Sequence, residues 1–213
     1  MKSNPIFVLL AGGKSERMGV DKGLLKYKQT FWILEQLKRI SRSNISTVYI
    51  GLGYNYQHYF NAISWLKNAQ QMPFQFQNLS VNVVLNTKPE KGSFSTLQKV
   101  LKNIPDKIDI VINPIDIPIL NSIELNNIIS KENSVIIPHF EGKNGHPIKL
   151  NYEFWKQLCS LDLNDKSSRL DYQIKKINPN KISKIEVFDR VITLNINTKK
   201  NWLNFLNSSL RTE

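Results

Sequence analysis

Short apolar segments that alternate with amphipathic ones constrain the fold of this chain more than any other feature. The apolar segments are rich in Val and Ile and are bounded by Gly, Asn or Pro, as buried parallel strands are. They cover residues 6–10, 47–50, 81–85, 108–112 and 135–137. Segments with helical periodicity lie between them, at residues 31–41, 56–69, 94–102 and 122–130. Repeated strand–helix units predict an α/β fold, a mainly parallel sheet with helices on both faces.

The remaining segments are less regular. Residues 71–80 are predicted to form a loop. Beyond Lys149 the predicted elements are helices at 152–161 and 168–177, strands at 185–188 and 191–194, and a helix from Thr198. The sequence shows no internal repeat and no low-complexity linker, and 213 residues suffice for one well-cored domain. We therefore predict a single domain over residues 1–213.

Apolar runs and cysteine content bear on the compartment. No stretch approaches the ~20 apolar residues of a membrane span, and the apolar part of MKSNPIFVLLAGGK is too brief for a secretory signal. The single cysteine, Cys159, excludes an intramolecular disulfide framework and agrees with a reducing compartment. We expect a cytoplasmic protein without a membrane partner.

The formal net charge of +12 indicates anionic partners. The lysines are scattered along the whole chain rather than gathered into one run or one helix face, so a nucleic-acid groove is disfavoured. A solvated basic surface and small phosphate-bearing substrates are the two other interpretations. We expect no nucleic-acid partner.

The first apolar segment ends in the stretch FVLLAGGKSERMGVDKGLLKY, residues 7–27. In open α/β sheets, ligands bind at the carboxyl ends of the strands. Gly12 and Gly13 can adopt backbone angles closed to other residues and turn N–H groups toward an anion, while Lys14, Arg17 and Lys22 add charge. Neither a Walker loop nor a dinucleotide fingerprint is present. The residues alone leave both a triphosphate cradle and a turn with solvated charges open.

Residues 10–25 read L-A-G-G-K-S-x-R-M-G-x-D-K-x-L-L. This stretch resembles the signature of the MobA-like nucleotidyltransferases, in particular the guanylyl- and cytidylyltransferases of the molybdenum cofactor. The resemblance implies a three-layer Rossmann-like nucleotidyltransferase fold, a Mg²⁺ cofactor, and catalytic contacts of Arg17 and Lys22 with the phosphates. It implies a nucleotide-binding role for Leu10, Ala11, Gly12, Gly13, Lys14 and Lys22.

Two further stretches resemble elements of the same family. KGSFSTLQ, residues 91–98, is similar to a second loop that faces the base and sugar, which implies nucleotide contacts for Gly92 and Ser95. Ser95 could instead cap the following helix. VINPIDIPIL, residues 111–120, resembles the strand-end D-x-P, which implies that Asp116 is catalytic and binds Mg²⁺.

The carboxyl-terminal part of the chain carries two weaker similarities. GKNGHPIKL, residues 142–150, resembles a G-H-P of the cytidylyltransferase branch and implies acceptor contacts for Gly145 and His146 in a lobe near residues 138–195. His146 could instead fix a turn. LNINTKKNW, residues 194–202, resembles an N-x-N-T element and makes Asn195 and Asn197 candidate metal ligands. Its usual acidic sequel is replaced by Lys-Lys-Asn, which weakens the second metal ligand.

The expected activity is Mg²⁺-dependent transfer of a nucleoside monophosphate from CTP or GTP to a phosphate acceptor, most readily molybdopterin, with release of pyrophosphate. The base stays open, because Gly12 matches the L-A-G-G of guanylyltransferases whereas G-H-P favours the cytidylyl branch. The alternatives are a sugar- or alditol-phosphate nucleotidyltransferase and a non-catalytic nucleotide-binding protein. The expected oligomeric state is a monomer or a small homo-oligomer.

Overall fold

The computed structural model describes residues 4–209, and a nine-stranded sheet forms its centre. The strands are β1 (Ile6–Ala11), β2 (Lys26–Tyr27), β3 (Thr30–Phe31), β4 (Thr47–Leu52), β5 (Phe74–Phe76), β6 (Leu79–Leu85), β7 (Ile110–Pro114), β8 (Val135–Phe140), β9 (Lys143–Asn144), β10 (Ile148–Leu150) and β11 (Ile182–Glu186). The α-helices are α1 (Trp32–Ile40), α2 (Tyr56–Ala62), α3 (Trp65–Asn68), α4 (Ser93–Leu101), α5 (Ser122–Ser130), α6 (Tyr152–Leu158), α7 (Leu170–Lys176) and α8 (Lys199–Ser209). Strands β2 and β3 form a separate hairpin.

The strand order of the main sheet is β11-β8-β10-β7-β1-β4-β6-β5, and β9 pairs with β8. Strand β1 pairs in parallel with β4 on one side and with β7 on the other. The chain therefore moves outward from β1 through β4 to β6 and then returns to β7. This reversal creates a crevice outside the carboxyl ends of β1 and β7, where open sheets of this kind bind ligands.

Hydrophobic clusters cover both faces of the sheet. Along β1, Phe7 and Leu9 belong to one cluster, whereas Ile6 and Val8 belong to the other, because successive strand residues point to opposite faces. The first cluster packs against α1, α2, α3, α5 and α8, and the second packs against α4, α6 and α7. The predicted three-layer α/β fold with a mainly parallel sheet is confirmed.

Several local predictions were wrong. Part of the loop predicted at 71–80 is the edge strand β5, which pairs antiparallel with the start of β6. The strand predicted at 191–194 is a 3₁₀ helix, Arg190–Thr193, because the Asp189 side chain accepts a hydrogen bond from the Val191 N–H at 3.0 Å and begins a turn there. The helix predicted at 56–69 is divided into α2 and α3 at Ile63, whose backbone is not helical.

Strand β10 was not predicted. It has three residues, all buried, and pairs antiparallel with β7 on one side and β8 on the other. A buried segment of this length has neither the alternation nor the turn signals by which a strand is recognised in sequence. Among the helices formed by residues 4–209, none has the length and apolar character that a membrane span requires.

Helix α1 fixes the loop that follows β7. The fully buried side chain of Gln36 donates from Nε2 to the Ile117 carbonyl at 2.9 Å and accepts from the Ile119 N–H at 3.2 Å. Trp32 Nε1 donates to the Ile115 carbonyl at 2.8 Å. Side chains of one helix therefore satisfy backbone groups that would otherwise be buried without partners.

Replacing Gln36 tests this role. Gln36→Leu keeps a similar volume but leaves the Ile119 N–H unpaired, so we expect the free energy of unfolding to fall by about 2 kcal/mol. Urea denaturation monitored by circular dichroism measures the change. Gln157→Leu is the control, because Gln157 is exposed on α6 and donates within its own helix, to Glu153. Equal losses in the two variants would contradict the assigned role.

Candidate functional site

A cleft of about 620 Å³ opens at the carboxyl ends of β1 and β7 and continues past β10 and β8 to α7. Its volume is in the range of small-molecule sites. The predicted site residues that line it are Leu10, Ala11, Gly12, Gly13, Lys22, Asp116, Gly145 and His146. The fold thus brings together residues from three separate motifs of the sequence, at 10–25, 111–120 and 142–150.

A polar cluster of Lys22, Asp116 and Asn197 lies at this edge of the sheet. Lys22 Nζ donates to Asp116 Oδ2 at 2.8 Å and to Asn197 Oδ1 at 2.6 Å. The side chains of Lys22 and Asp116 are 15% and 21% exposed. The Ile196 N–H donates to the Asp116 carbonyl at 2.8 Å and so fixes the carboxyl-terminal segment beside the loop after β7.

The oxygen donors of this cluster suit a hard cation. Side-chain oxygens of Asp116 and Asn197 both accept hydrogen bonds from one positive group, the Lys22 ammonium. Among residues 4–209 there is no group of three or more His, Cys, Asp or Glu side chains that could hold a metal ion. Mg²⁺ needs no such group, since it keeps several waters and is commonly held by one or two carboxylates together with substrate phosphates. Neither Asn195 nor Asn197 is among the described residues that line the cleft, but Asn197 contacts Lys22, which lines it, whereas the Asn195 side chain is exposed.

Gly12 is required by close packing. A Cβ atom at Gly12 would lie 2.7 Å from Thr96 Oγ1 and 3.3 Å from the Gly53 nitrogen, whereas a Cβ atom at Gly13 would meet nothing within 4 Å. Neither glycine has a positive φ, so the expected use of backbone angles closed to other residues was wrong. Gly12 allows the loop to approach α4 and the end of β4.

The turn itself is made further along the loop. Positive φ angles occur at Ser15 (57°) and Gly19 (76°). The Ser15 carbonyl accepts from the Met18 N–H at 2.9 Å, and Ser15 Oγ accepts from the Lys22 N–H at 3.2 Å. These bonds fold the loop back so that Lys22 can reach the cleft.

The loop carries two more predicted cations, both on its exposed surface. Lys14 is exposed and pairs with Glu16 at 2.8 Å, and this hydrogen bond raises the pKa of the Lys14 ammonium group. Arg17 is exposed. Neither lines the cleft among the described residues.

The loop before α4 places its hydroxyl groups differently from the sequence expectation. Ser95 is buried, its Oγ donates to the Gly92 carbonyl at 2.7 Å, and it accepts from Asn86 Nδ2 at 2.8 Å. Gly92, with φ of 89°, precedes the helix. Thr96, which sequence reasoning did not select, lines the cleft together with Ser93.

Gly145 and His146 form a tight turn against the 3₁₀ helix Arg190–Thr193. A Cβ atom at Gly145 would lie 2.3 Å from the Ile192 carbonyl oxygen, so only glycine fits. The His146 N–H donates to that oxygen at 3.4 Å. Burial lowers the pKa of the His146 imidazole to about 4, against the opposing effect of the Asp116 charge. His146 is therefore neutral near pH 7.

Sequence reasoning also missed one complete wall of the cleft. The lining residues are Arg169, which precedes α7, and Leu170, Asp171, Ile174 and Lys175 of the helix itself. This segment was predicted as a polar helix but carries no motif. The mixture of apolar and basic residues along this amphipathic segment was the only signal in the sequence that it could line a binding site.

A family model described as MobA-like NTP transferase domain matches residues 7–177. No curated protein matches the sequence. Several solved structures have a similar fold at low sequence identity. Rv0371c from Mycobacterium tuberculosis H37Rv has a TM-score of 0.75 and 20% identity over 97% of this chain and 99% of its own. The same protein was also solved in complex with manganese, with a TM-score of 0.71 and 18% identity over 97% of this chain and 100% of its own.

Two other similar structures are enzymes by description. A nucleotidyl transferase from Methanothermobacter thermautotrophicus has a TM-score of 0.76 and 18% identity over 99% of this chain and 100% of its own. The 4-diphosphocytidyl-2C-methyl-D-erythritol synthase from Anaerococcus prevotii has a TM-score of 0.70 and 10% identity over 98% of this chain and 96% of its own. At these identities the similarity establishes a shared fold.

The packing around Gly12 gives a stability prediction. The contact with buried Thr96 means that Gly12→Ala destabilises the fold, by about 1–3 kcal/mol. Gly13→Ala is the matched control and should change the free energy of unfolding by less than about 0.5 kcal/mol. Urea denaturation of both variants measures the difference. Equal stability of the two would show that Thr96 accommodates the added methyl group.

The lowered pKa of His146 gives a pH prediction. Between about 4 and 6.5 the unfolded state binds more protons at this imidazole than the folded state, so stability rises with pH in that window. The free energy of unfolding should fall by at most about 3 kcal/mol from this group as the pH decreases from 6.5 to 4. His146→Gln should reduce that dependence, measured by urea denaturation at closely spaced pH values. An unchanged slope in the variant would contradict the burial of a neutral His146.

Proposed function

Because the chain belongs to the family of MobA-like NTP transferase domains, we propose that it is a metal-dependent enzyme that transfers a nucleoside monophosphate from CTP or GTP to a phosphate acceptor. The observation that carries this proposal is the meeting of Lys22, Asp116 and Asn197 at the crevice between β1 and β7. That crevice is where the topology of an open sheet favours a nucleotide.

The triphosphate occupies the end of the cleft beside the glycine loop. Gly13 leaves open space for the base and ribose, Gly12 lets the loop pack closely on Thr96, and Ser93 and Thr96 line the cleft. Lys22 binds the phosphates inside the cleft, and Lys14 and Arg17, exposed on the same loop, add positive charge. Gly92 and Ser95 support this site by forming the start of α4.

Asp116 and Asn197 would hold the divalent cation, for which Mg²⁺ is our proposal. Their oxygens suit it chemically, and a protein of the same fold was solved with manganese. Bound there, the cation would withdraw charge from the triphosphate as a Lewis acid. Asn195, exposed on the same segment, is a weaker candidate ligand.

The chemistry requires positioning rather than a strong base. An oxygen of the acceptor phosphate forms a bond to the α-phosphorus, and the bond from that phosphorus to the bridging oxygen breaks, so pyrophosphate leaves with the electron pair. An acceptor phosphate is already ionised near neutral pH. The protein must therefore neutralise the repulsion between two anions and align them, and Lys22, with Lys14 and Arg17 of the same loop, does this for the leaving pyrophosphate.

Molybdopterin is the acceptor that the signature motif favours, with Gly145 and His146 at its binding site. Because His146 is neutral, it binds through a hydrogen bond and does not contribute a charge. An alditol phosphate is the second candidate, because one structure of the same fold is a diphosphocytidyl-methylerythritol synthase. The non-catalytic alternative would require that the Asp116 cluster binds nucleotide without turnover.

Pyrophosphate release distinguishes these functions. The assay combines the protein with Mg²⁺ or Mn²⁺ and each of the four ribonucleoside triphosphates, with molybdopterin, with an alditol phosphate, or without acceptor. We expect release with CTP or GTP that depends on the acceptor. Nucleotide binding without release for any combination would contradict the enzymatic proposal.

Asp116→Asn is the single substitution that tests the proposed metal ligand most directly. The amide keeps the shape but loses the charge that holds the cation, so turnover should fall by at least about 100-fold. Loss of the Asp116 charge also frees Lys22 for the phosphates, so nucleotide affinity without metal should stay the same or increase. Pyrophosphate release, metal-free calorimetry and the melting temperature are measured on one preparation.

Asp106→Asn serves as the control for this substitution, because the Asp106 side chain is 68% exposed and pairs with Lys156. Its turnover and melting temperature should match those of the unmodified protein. If Asp116→Asn lowers the melting temperature but retains turnover at saturating Mg²⁺, Asp116 is a structural turn residue and the proposed metal role is wrong.

A further inference from the structure

The carboxylate of Asp21, the residue before Lys22, is buried although the proposed chemistry does not use it. Its side chain is 5% exposed. Asn55 Nδ2 donates to Asp21 Oδ1 at 2.9 Å, and His58 Nδ1 lies 2.7 Å from Asp21 Oδ2. An ionised carboxylate only accepts hydrogen bonds, so His58 Nδ1 is the donor. Side chains at the start of α2 therefore provide the partners that a buried carboxylate requires.

The start of α2 also contacts the residue after Lys22. The hydroxyl oxygen of buried Tyr59 accepts from the Gly23 N–H at 3.3 Å. A Cβ atom at Gly23 would lie 2.7 Å from Tyr59 Cε1, so a larger residue would displace the ring. The Lys22 N–H itself donates to Ser15 Oγ. The backbone is thus held before, at and after Lys22.

The partners of Asp21 lie outside the cleft. Asp21, Asn55 and His58, together called the Asp21 cluster, line a separate cavity of about 510 Å³. None of the three is among the described residues that line the cleft. Any effect of these side chains on a ligand in the cleft must therefore pass through the loop that carries Lys22.

A fixed backbone at Lys22 has a consequence for anion binding. A lysine side chain is long and flexible, and it loses conformational entropy when its ammonium group binds a ligand. The Lys22 side chain already points toward Asp116 and Asn197, and its backbone is held from α2. Less entropy is then lost when Lys22 binds a phosphate, which raises the affinity.

We propose that Asp21, Asn55 and His58 are positioning residues for polyphosphate binding, which they strengthen by holding Lys22 at the cleft. Asn55 and His58 belong to none of the motifs recognised in the sequence. The inference rests on the proposed function for the ligand of Lys22, whereas the attachment of the loop to α2 does not. It gives α2 a role in binding although the helix does not line the cleft.

The first experiment compares two neighbouring exposed residues of α2. His58→Leu removes the donor to Asp21, and its loss leaves the core intact because the His58 side chain is 63% exposed. Gln57→Leu makes a similar exposed change one position away. Calorimetry with inorganic tripolyphosphate at physiological ionic strength should show about fivefold weaker binding for His58→Leu and less than about twofold for Gln57→Leu. Equal affinities of the two variants would overturn the proposal.

His58→Asn is the rescue variant. The amide nitrogen of Asn is bonded to Cγ, as the imidazole Nδ1 is, so it can donate to Asp21 from a similar place without carrying a charge. Its tripolyphosphate affinity should stay within about twofold of that of the unmodified protein. Binding as weak as in His58→Leu would show that the hydrogen bond to Asp21 is not responsible, and the positioning role would be wrong.

A double-mutant cycle with Lys22→Gln separates positioning from general stability. If His58 acts through Lys22, then His58→Leu should change affinity by less than about twofold once Lys22 has been replaced. An effect of about fivefold in both backgrounds would mean that His58 acts on the protein as a whole, and would also overturn the proposal. The melting temperature of each variant is measured on the same preparation.

Pyrophosphate release keeps this inference distinct from the proposed function. If CTP or GTP supports release, but neither its KM nor tripolyphosphate affinity depends on His58, the positioning role is wrong and the proposed function stands. If no nucleotide supports release, but tripolyphosphate affinity depends on His58 through Lys22, the proposed nucleotidyl transfer fails and the positioning role stands.

Discussion

The segment that follows β7 runs through the protein interior, and its backbone groups must find hydrogen-bond partners there. Asn113 is fully buried, and its Nδ2 donates to the Pro114 carbonyl at 2.8 Å and to the Ile117 carbonyl at 2.7 Å. The Ile115 N–H donates to the Leu10 carbonyl at 2.9 Å. Each such group left unpaired would cost about 1–3 kcal/mol. The satisfaction of these groups holds the Asp116 loop in one conformation beside β1.

The polar cluster at the crevice depends on that fixed loop. Lys22 contacts Asp116 and Asn197, which lie 94 and 175 positions later in the chain. The pair of Lys22 and Asp116 is partly buried, so its attraction is opposed by the loss of hydration and the pair contributes little to net stability. Its importance is chemical, because in the proposed enzyme Lys22 and a cation compete for the same oxygens. Triphosphate binding, by drawing Lys22 away, would favour metal binding.

The distribution of charge also follows from the fold. The sequence shows only a net charge of +12 with scattered lysines. The fold places Lys22 inside the cleft, with Lys14 and Arg17 exposed on the same loop, and Arg169 and Lys175 line the cleft from the α7 segment. A reaction between two anions needs positive charge on both sides of the reacting phosphorus. This arrangement of charge therefore favours the proposed transfer over nucleic-acid binding.

The sequence by itself determined the alternation of strands and helices, the place of the glycine loop at the crevice and the position of Asp116 at a strand end. Hydrophobic periodicity and strand–helix alternation are local properties of the sequence, so they indicate where each strand ends. Tertiary structure alone decided the rest. Strand β10 exists because two neighbouring strands bury three residues between them. Successive positions of a helix point about 100° apart, so Thr96 lines the cleft whereas Ser95 turns into the loop. Helix α7 carries no motif, and only packing brought its side chains to the cleft that the glycine loop also lines.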